Sequence, residues 1–235
     1  MRINKFLASA GFGSRRKCED LVREGKVKCN GEIITDLGFS VDEKKDKITV
    51  NGKAANVKAS YTYVMLHKPK GVITSMSDEY GRKTVKDLMP EEFKNLKPVG
   101  RLDYDSEGLL IMTDDGDLAY ILTHPSHEIT KTYVVRVEGE VKESQLAVMR
   151  AGVVIDGVRL SKCKVKIMEK VGNDTKLEVV ISEGKNRQVR KMFDAVGLTV
   201  VFLKRTKIGD LRLGGLTRGT HRLLTEQEIN YLKML

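Results

Sequence analysis

Between residues 63 and 204 the chain carries six short runs rich in β-branched and aromatic residues, several separated only by a turn. They cover residues 63–67, 109–113, 132–137, 162–168, 176–181 and 200–204. Helical periodicity is confined to short pieces over 84–89, 117–123, 143–150, 187–196 and 226–235. Strands joined by tight turns pair antiparallel, whereas a doubly wound parallel sheet needs a helical crossover between successive strands. The sequence therefore predicts an α+β fold with a mainly antiparallel mixed sheet over residues 61–235.

The first sixty residues read as a separate small unit of two helices and a hairpin. Ile3, Phe6 and Leu7 share one helical face, and Ser14 is a good N-cap for a second helix burying Cys18, Leu21 and Val22. Gly25 ends that helix, and Asn30-Gly31 predicts a two-residue hairpin turn. Residues 51–60 hold no large apolar side chain except Val57 and read as a linker. The expected domains are 1–60 and 61–235.

Charge is distributed unevenly. The 235-residue chain has a net charge of +10. Residues 1–60 hold 13 Lys and Arg against 8 Asp and Glu, and residues 184–222 hold 10 against 2. Residues 61–183 hold 18 against 20, close to neutral. Two basic zones around a neutral centre suit a polyanion held by its phosphates while an acid between the zones does chemistry. No apolar run approaches the ~20 residues of a membrane span. Arg2 and Lys5 before Phe6 faintly mimic a secretory signal, but the apolar part is shorter than the roughly 7–15 residues required. Cys18, Cys29 and Cys163 are odd in number and show no CxxC, which predicts reduced thiols in a cytoplasmic protein.

Residues 100–110, Gly-Arg-Leu-Asp-Tyr-Asp-Ser-Glu-Gly-Leu-Leu, offer a candidate site. Glycines bracket a loop that enters an apolar run, and an aspartate in such a place can act as nucleophile or base. Asp103, Asp105 and Glu107 alternate and could imitate a hard-metal site, but the two glycines predict a curved loop. Asp114, Asp115 and Asp117 lack the spacing of a calcium loop, and His124 and His127 lack partners at metal spacing. Neither a metal nor a cofactor is expected. Lys68-Pro-Lys-Gly71 predicts a loop, either touching RNA or merely turning the chain. A second basic segment, residues 183–193, has Val189, Met192, Phe193 and Val196 as an apolar stripe, with Arg187, Arg190 and Lys191 left to face elsewhere.

Residues 100–110 resemble the GRLD-x-D-[ST]-x-GLL signature of the RsuA/RluB family of ribosomal RNA pseudouridine synthases. Residues 183–192 are similar to the family's E-G-[KR]-x-x-Q-[VI]-[RK]-[RK]-M, residues 131–135 to K-x-Y-x-V, and residues 68–71 to KPxG. Residues 1–31 look like the S-four RNA-binding domain. The resemblance runs from Met1 to the terminal segment at 223–228. It implies a pseudouridine synthase domain whose catalytic aspartate is Asp103, with Arg190 as its counter-cation and Tyr133 as the ring stacked on a flipped-out uridine. An Arg about 4 Å from a carboxylate contributes roughly 4 kcal/mol at an effective dielectric near 20, enough to keep Asp103 ionised. Arg2, Lys5, Arg15, Arg16 and Lys17 in the first unit, and Arg101, Lys185, Arg187, Lys204 and Arg205 in the second, would contact RNA. Asp105 and Glu107 have no such support.

The implied partner is ribosomal RNA or a pre-ribosomal particle, met by a monomer without membrane attachment. The segment 113–119 and the N-R-Q-V-R form of the basic motif place the chain nearer the large-subunit enzymes. A small-subunit enzyme and a non-catalytic ribosome-assembly factor remain alternatives. An RNA methyltransferase is disfavoured because no strand leads into a glycine-rich nucleotide loop.

Overall fold

The computed structural model describes every residue except Ala59 and Asp156. Ala59 falls in the expected linker, and that part of the expectation lies outside the described residues. The chain forms two compact units, Met1–Tyr61 and Thr62–Leu235.

In the first unit α1 (Ile3–Ser9) packs on α2 (Arg15–Arg23), and a four-stranded sheet follows. Its strands are β1 (Val27–Cys29), β2 (Glu32–Ile33), β3 (Ile48–Val50) and β4 (Lys53–Ala54). The Ser14 hydroxyl accepts from the Lys17 backbone N–H at 3.2 Å, as an N-cap should. Asn30 and Gly31 both take positive φ, joining β1 to β2. The linker expectation needs correcting at its start. Asn51-Gly52 is a second turn of the same kind, pairing β3 with β4, and Ala55 is buried in the unit's core. The lack of large apolar residues at 51–55 reflects a hairpin edge as much as a linker.

The second unit is built on a sheet in the order β11-β12-β8-β13-β7-β5-β15, with β6 paired to β7 and β14 to β13. The strands are β5 (Tyr63–Lys68), β6 (Lys97–Val99), β7 (Glu107–Thr113), β8 (Lys131–Glu138), a small hairpin of β9 (Val154–Ile155) and β10 (Val158–Arg159), β11 (Lys164–Val171), β12 (Asp174–Ile181), β13 (Val200–Ile208), β14 (Leu211–Arg212) and β15 (His221–Leu223). The helices are α3 (Gly116–Thr123), α4 (Glu143–Ala151), α5 (Gln188–Asp194) and α6 (Glu226–Lys233). The stretch expected as a helix at 84–89 is a 3-10 turn, Val85–Leu88.

Among these strands only β13 and β7 pair in parallel; every other strand pair is antiparallel, so the unit is α+β as the turns imply. Strands β5 and β7 are buried at every position. One of their faces, with Val64, Leu66, Leu110 and Met112, packs against β8, α4 and α5 in a single core. The expected stripe of α5 is there: Val189, Met192 and Phe193 are buried and Val196 packs beside them. Gln188 and Arg190 are buried as well, so only the half-buried Lys191 and the exposed Asp194 give α5 a wet side. Among the described residues no helix is long and apolar enough to cross a membrane.

Candidate active site

The loop between β6 and β7 is held largely through its main chain. Six consecutive carbonyl oxygens, 101 to 106, each accept a hydrogen bond. Arg205 Nη1 reaches that of Arg101 at 3.4 Å and the Thr74 hydroxyl that of Leu102 at 2.7 Å. Lys68 Nζ donates to the carbonyls of Asp103 and Ser106 at 3.0 and 2.9 Å. The Gly71 N–H donates to that of Tyr104 at 2.8 Å, and Arg190 Nη2 to that of Asp105 at 3.0 Å. Buried carbonyls need such partners, and donors of this kind fix the backbone while leaving the loop's side chains free for other work.

Glycine is required where the loop enters β7. Gly108 has φ +120°, and a Cβ there would stand 2.2 Å from the Arg205 carbonyl oxygen. Only a residue without a side chain lets β7 and β13 approach this closely.

Beside the loop is a cleft of about 250 Å³, lined by Asp103, Lys131, Tyr133, Lys185, Arg187 and Arg205 among others. Lys131 and Tyr133 lie two apart on β8 and so share a face, and Arg205 is the cross-strand partner of Tyr133. Among the described residues no side chain makes a hydrogen bond or ion pair with the Asp103 carboxylate, and the Lys68 and Arg187 charges act on it from further off. The cleft thus contains a carboxylate, a nearly buried tyrosine ring (8% exposed) and several cations. Burial, with repulsion from Arg205, brings the Lys131 amine down to about 8.

Asp103 and Tyr133 were expected together, and they share this cleft. Arg190 differs from its expected role. Its Nε lies 3.1 Å from the Asp105 carboxylate, not that of Asp103, and its Nη1 donates to the Val200 carbonyl at 3.0 Å. Arg187 adds two hydrogen bonds to the Asp105 carboxylate at 3.2 and 3.1 Å. Burial pushes the Asp105 carboxyl up, and the two guanidinium groups more than offset it, so it lies below the usual range. Glu107, almost fully buried, pairs with Arg218 at 3.2 Å. Both acids judged unsupported therefore hold cations. The reason is the turn closed by the Ser106 N–H on the Asp103 carbonyl at 3.1 Å, which ends the strand-like alternation of the three acids.

The RNA-contact candidates separate by exposure. Arg101, Lys185 and Arg187 are exposed on the cleft wall, whereas Lys204 is half-buried in β13. Arg205 is only 4% exposed and donates from Nε to the Leu109 carbonyl at 2.8 Å, so it belongs to the loop support rather than an outer basic surface. In the first unit Arg2, Arg15, Arg16 and Lys17 are exposed and Lys5 is half-buried.

Lys68 is the residue that the sequence left undecided. It is fully buried and makes a third hydrogen bond, to the Pro69 carbonyl at 3.0 Å. Burial lowers its pKa from 10.5 to about 8, with the Asp103 and Asp105 charges opposing the fall. A lysine at the end of an apolar strand is the one signal that could have revealed it. Among the described residues no group of three His, Cys, Asp or Glu is arranged to hold a metal ion.

Comparison with known proteins adds two family matches. The model described as RNA pseudouridylate synthase matches residues 62–195, and that described as S4 domain matches residues 1–48. The chain is 41% identical to ribosomal large subunit pseudouridine synthase B of Bacillus subtilis (strain 168), covering 100% of this chain and 96% of that one. It is 39% identical to an uncharacterized RNA pseudouridine synthase of Aquifex aeolicus (strain VF5), covering 99% and 93%. A crystal structure of a pseudouridylate synthase superposes with a TM-score of 0.71 at 32% identity, covering 99% of both chains.

Proposed function

Because the chain belongs to the RNA pseudouridylate synthase family, we propose that it isomerises one uridine of large-subunit ribosomal RNA, with Asp103 as the catalytic carboxylate. Membership makes it an isomerase with an N-terminal RNA-binding S4 domain. The choice of ribosomal RNA, and of the large subunit, follows the named Bacillus relative. We place the enzyme in the cytoplasm as a monomer.

The reaction breaks the bond from ribose C1′ to uracil N1, turns the base, and joins C1′ to C5, whose proton leaves while N1 takes one up. It needs a target nucleotide out of its stack, a surface to hold the base, and a carboxylate at the sugar or base. In this reading the base enters the cleft, Tyr133 stacks on it, and Asp103 attacks or removes a proton. Base–aromatic stacking contributes roughly 1–3 kcal/mol. Arg190 and Arg187 act through Asp105: they hold the outer turn of the loop while Lys68 holds the inner one.

One observation carries the assignment. Among the described residues Asp103 is the loop acid that lines the cleft without a paired side chain, while Asp105 and Glu107 are both held by arginine. Tritium release from RNA labelled at uracil C5 tests it. Wild type should release tritium from large-subunit rRNA, and Asp103→Asn should release none. Release retained by the variant would sink the assignment of Asp103. A wild type silent on all ribosomal RNAs would instead favour an assembly factor.

A further inference from the structure

Where α3 ends, three aromatic rings meet on the surface. The Tyr120 and His124 ring centroids are 4.6 Å apart with planes tilted by 32°. The His127 ring stands edge-on to both, 5.9 Å from Tyr120 and 6.3 Å from His124. These separations fall in the range at which aromatic pairs attract.

The cluster is built rather than incidental. Pro125–His127 forms a 3-10 turn, and His124 Nδ1 lies 2.6 Å from the Ser126 hydroxyl and accepts from the Ser126 N–H at 3.3 Å. Glu128 follows in the left-handed region at φ +50° and closes the turn. Yet the rings cover no core. Tyr120 is 54% exposed, and both histidines are exposed. Tyr63 and Tyr133, in contrast, are 5% and 8% exposed and help to fill the core. An aromatic cluster kept for packing would be mostly covered; here Tyr120 keeps more than half of its area in solvent.

Its position points to the partner. Leu122 and Thr123, between Tyr120 and His124 in the chain, line the cleft that holds Asp103 and Tyr133, and Arg101 and Lys131 line that cleft too. Exposed flat rings in a segment that also lines a cation-bearing cleft suit an unpaired nucleobase, because every base has a π-face and its phosphate needs a counter-charge. We propose that Tyr120, His124 and His127 form a stacking platform for an unpaired nucleobase neighbouring the target uridine, on the rim of the cleft. The inference rests on the RNA isomerase reading and extends it to how the substrate strand is held.

Full-length wild type, Tyr120→Ala, Tyr120→Phe and His127→Ala are compared by tritium release on large-subunit rRNA. Binding to a short unstructured RNA oligonucleotide and to its duplex is measured in parallel. Loss of one stacked base raises KM about 5- to 150-fold. For Tyr120→Ala that rise is expected with kcat changed less than about threefold, a smaller rise for His127→Ala, and wild-type behaviour for Tyr120→Phe. Weakened binding should be confined to the single strand. Unchanged KM in both alanine variants would overturn the platform. So would equal losses on duplex and single strand, since a duplex offers no free base face. If wild type releases no tritium but Tyr120→Ala still loses single-strand binding, the platform stands and the isomerase reading falls.

Discussion

Lys68→Met is the sharpest test of how the loop is held. Methionine roughly keeps the length and apolar stem of lysine and removes the ammonium, leaving the carbonyls of Pro69, Asp103 and Ser106 without their donor. Each buried carbonyl so stranded costs about 1–3 kcal/mol. Against this, burying the charge already costs the wild type: a fall from 10.5 to about 8 corresponds to about 3 kcal/mol. With three carbonyls stranded, two of them only part-buried, the net loss at pH 7 falls between about 0 and 6 kcal/mol, readable by urea denaturation.

The pH dependence gives the refutation. Below pH 8 the Lys68 ammonium is charged in both folded and unfolded chains. Between about 8 and 10.5 the unfolded chain keeps the proton and the folded one gives it up, so stability rises with pH. The slope is about 1.4 kcal/mol per pH unit, and the methionine variant lacks it. Other titrating groups are common to both proteins and cancel in the difference. The stability gap should widen by about 2 kcal/mol between pH 8 and 9.5. A gap that is constant or narrows would mean that Lys68 is not a buried ammonium. In the tritium assay the variant should lose about 100-fold in kcat, the scale expected when a reacting group moves by about 1 Å.

Gly108→Ala should destabilise the second unit by about 4 kcal/mol or more, because its Cβ would meet main-chain atoms of Arg205 that cannot step aside; a shift in melting temperature within a degree of wild type would show that β7 and β13 are further apart. Replacing Arg15, Arg16 and Lys17 by Gln should leave the stability of the first unit nearly unchanged and reduce the salt slope of RNA binding by about 2–3, at roughly 0.7–0.9 per phosphate contact. An unchanged slope would place the RNA elsewhere.

The strand-like runs predicted the sheet well because β5, β7 and the inner faces of β8 and β12 are continuous or alternating apolar segments, and burial imposes that pattern directly. That Asp103 and Tyr133 would line one cleft was legible through short motifs. The partner of Arg190 was not, because it depends on which of two acids a turn presents to α5, and the hydrogen bond from Ser106 to Asp103 leaves no mark on residue spacing. Arg205 was misjudged for a related reason: its charge suggested surface, while its hydrogen bonds to main-chain carbonyls come from β13 pairing in parallel with β7. Composition counts a cation without saying whether it faces solvent or a row of carbonyls.

The carbonyl clamp also sets an order in time. The first unit has its own apolar core and is complete by Tyr61, so it can fold as soon as it leaves the ribosome. The Asp103 loop cannot, since its donors include Arg190 and Arg205 far downstream. At roughly 5–20 residues per second, translation from residue 62 to 205 occupies about 7–30 s. Throughout that interval a nascent chain carries a finished S4 domain and an unfinished Asp103 loop. Affinity for RNA therefore arrives before reactivity, and a chain truncated in this interval would compete for RNA without modifying it.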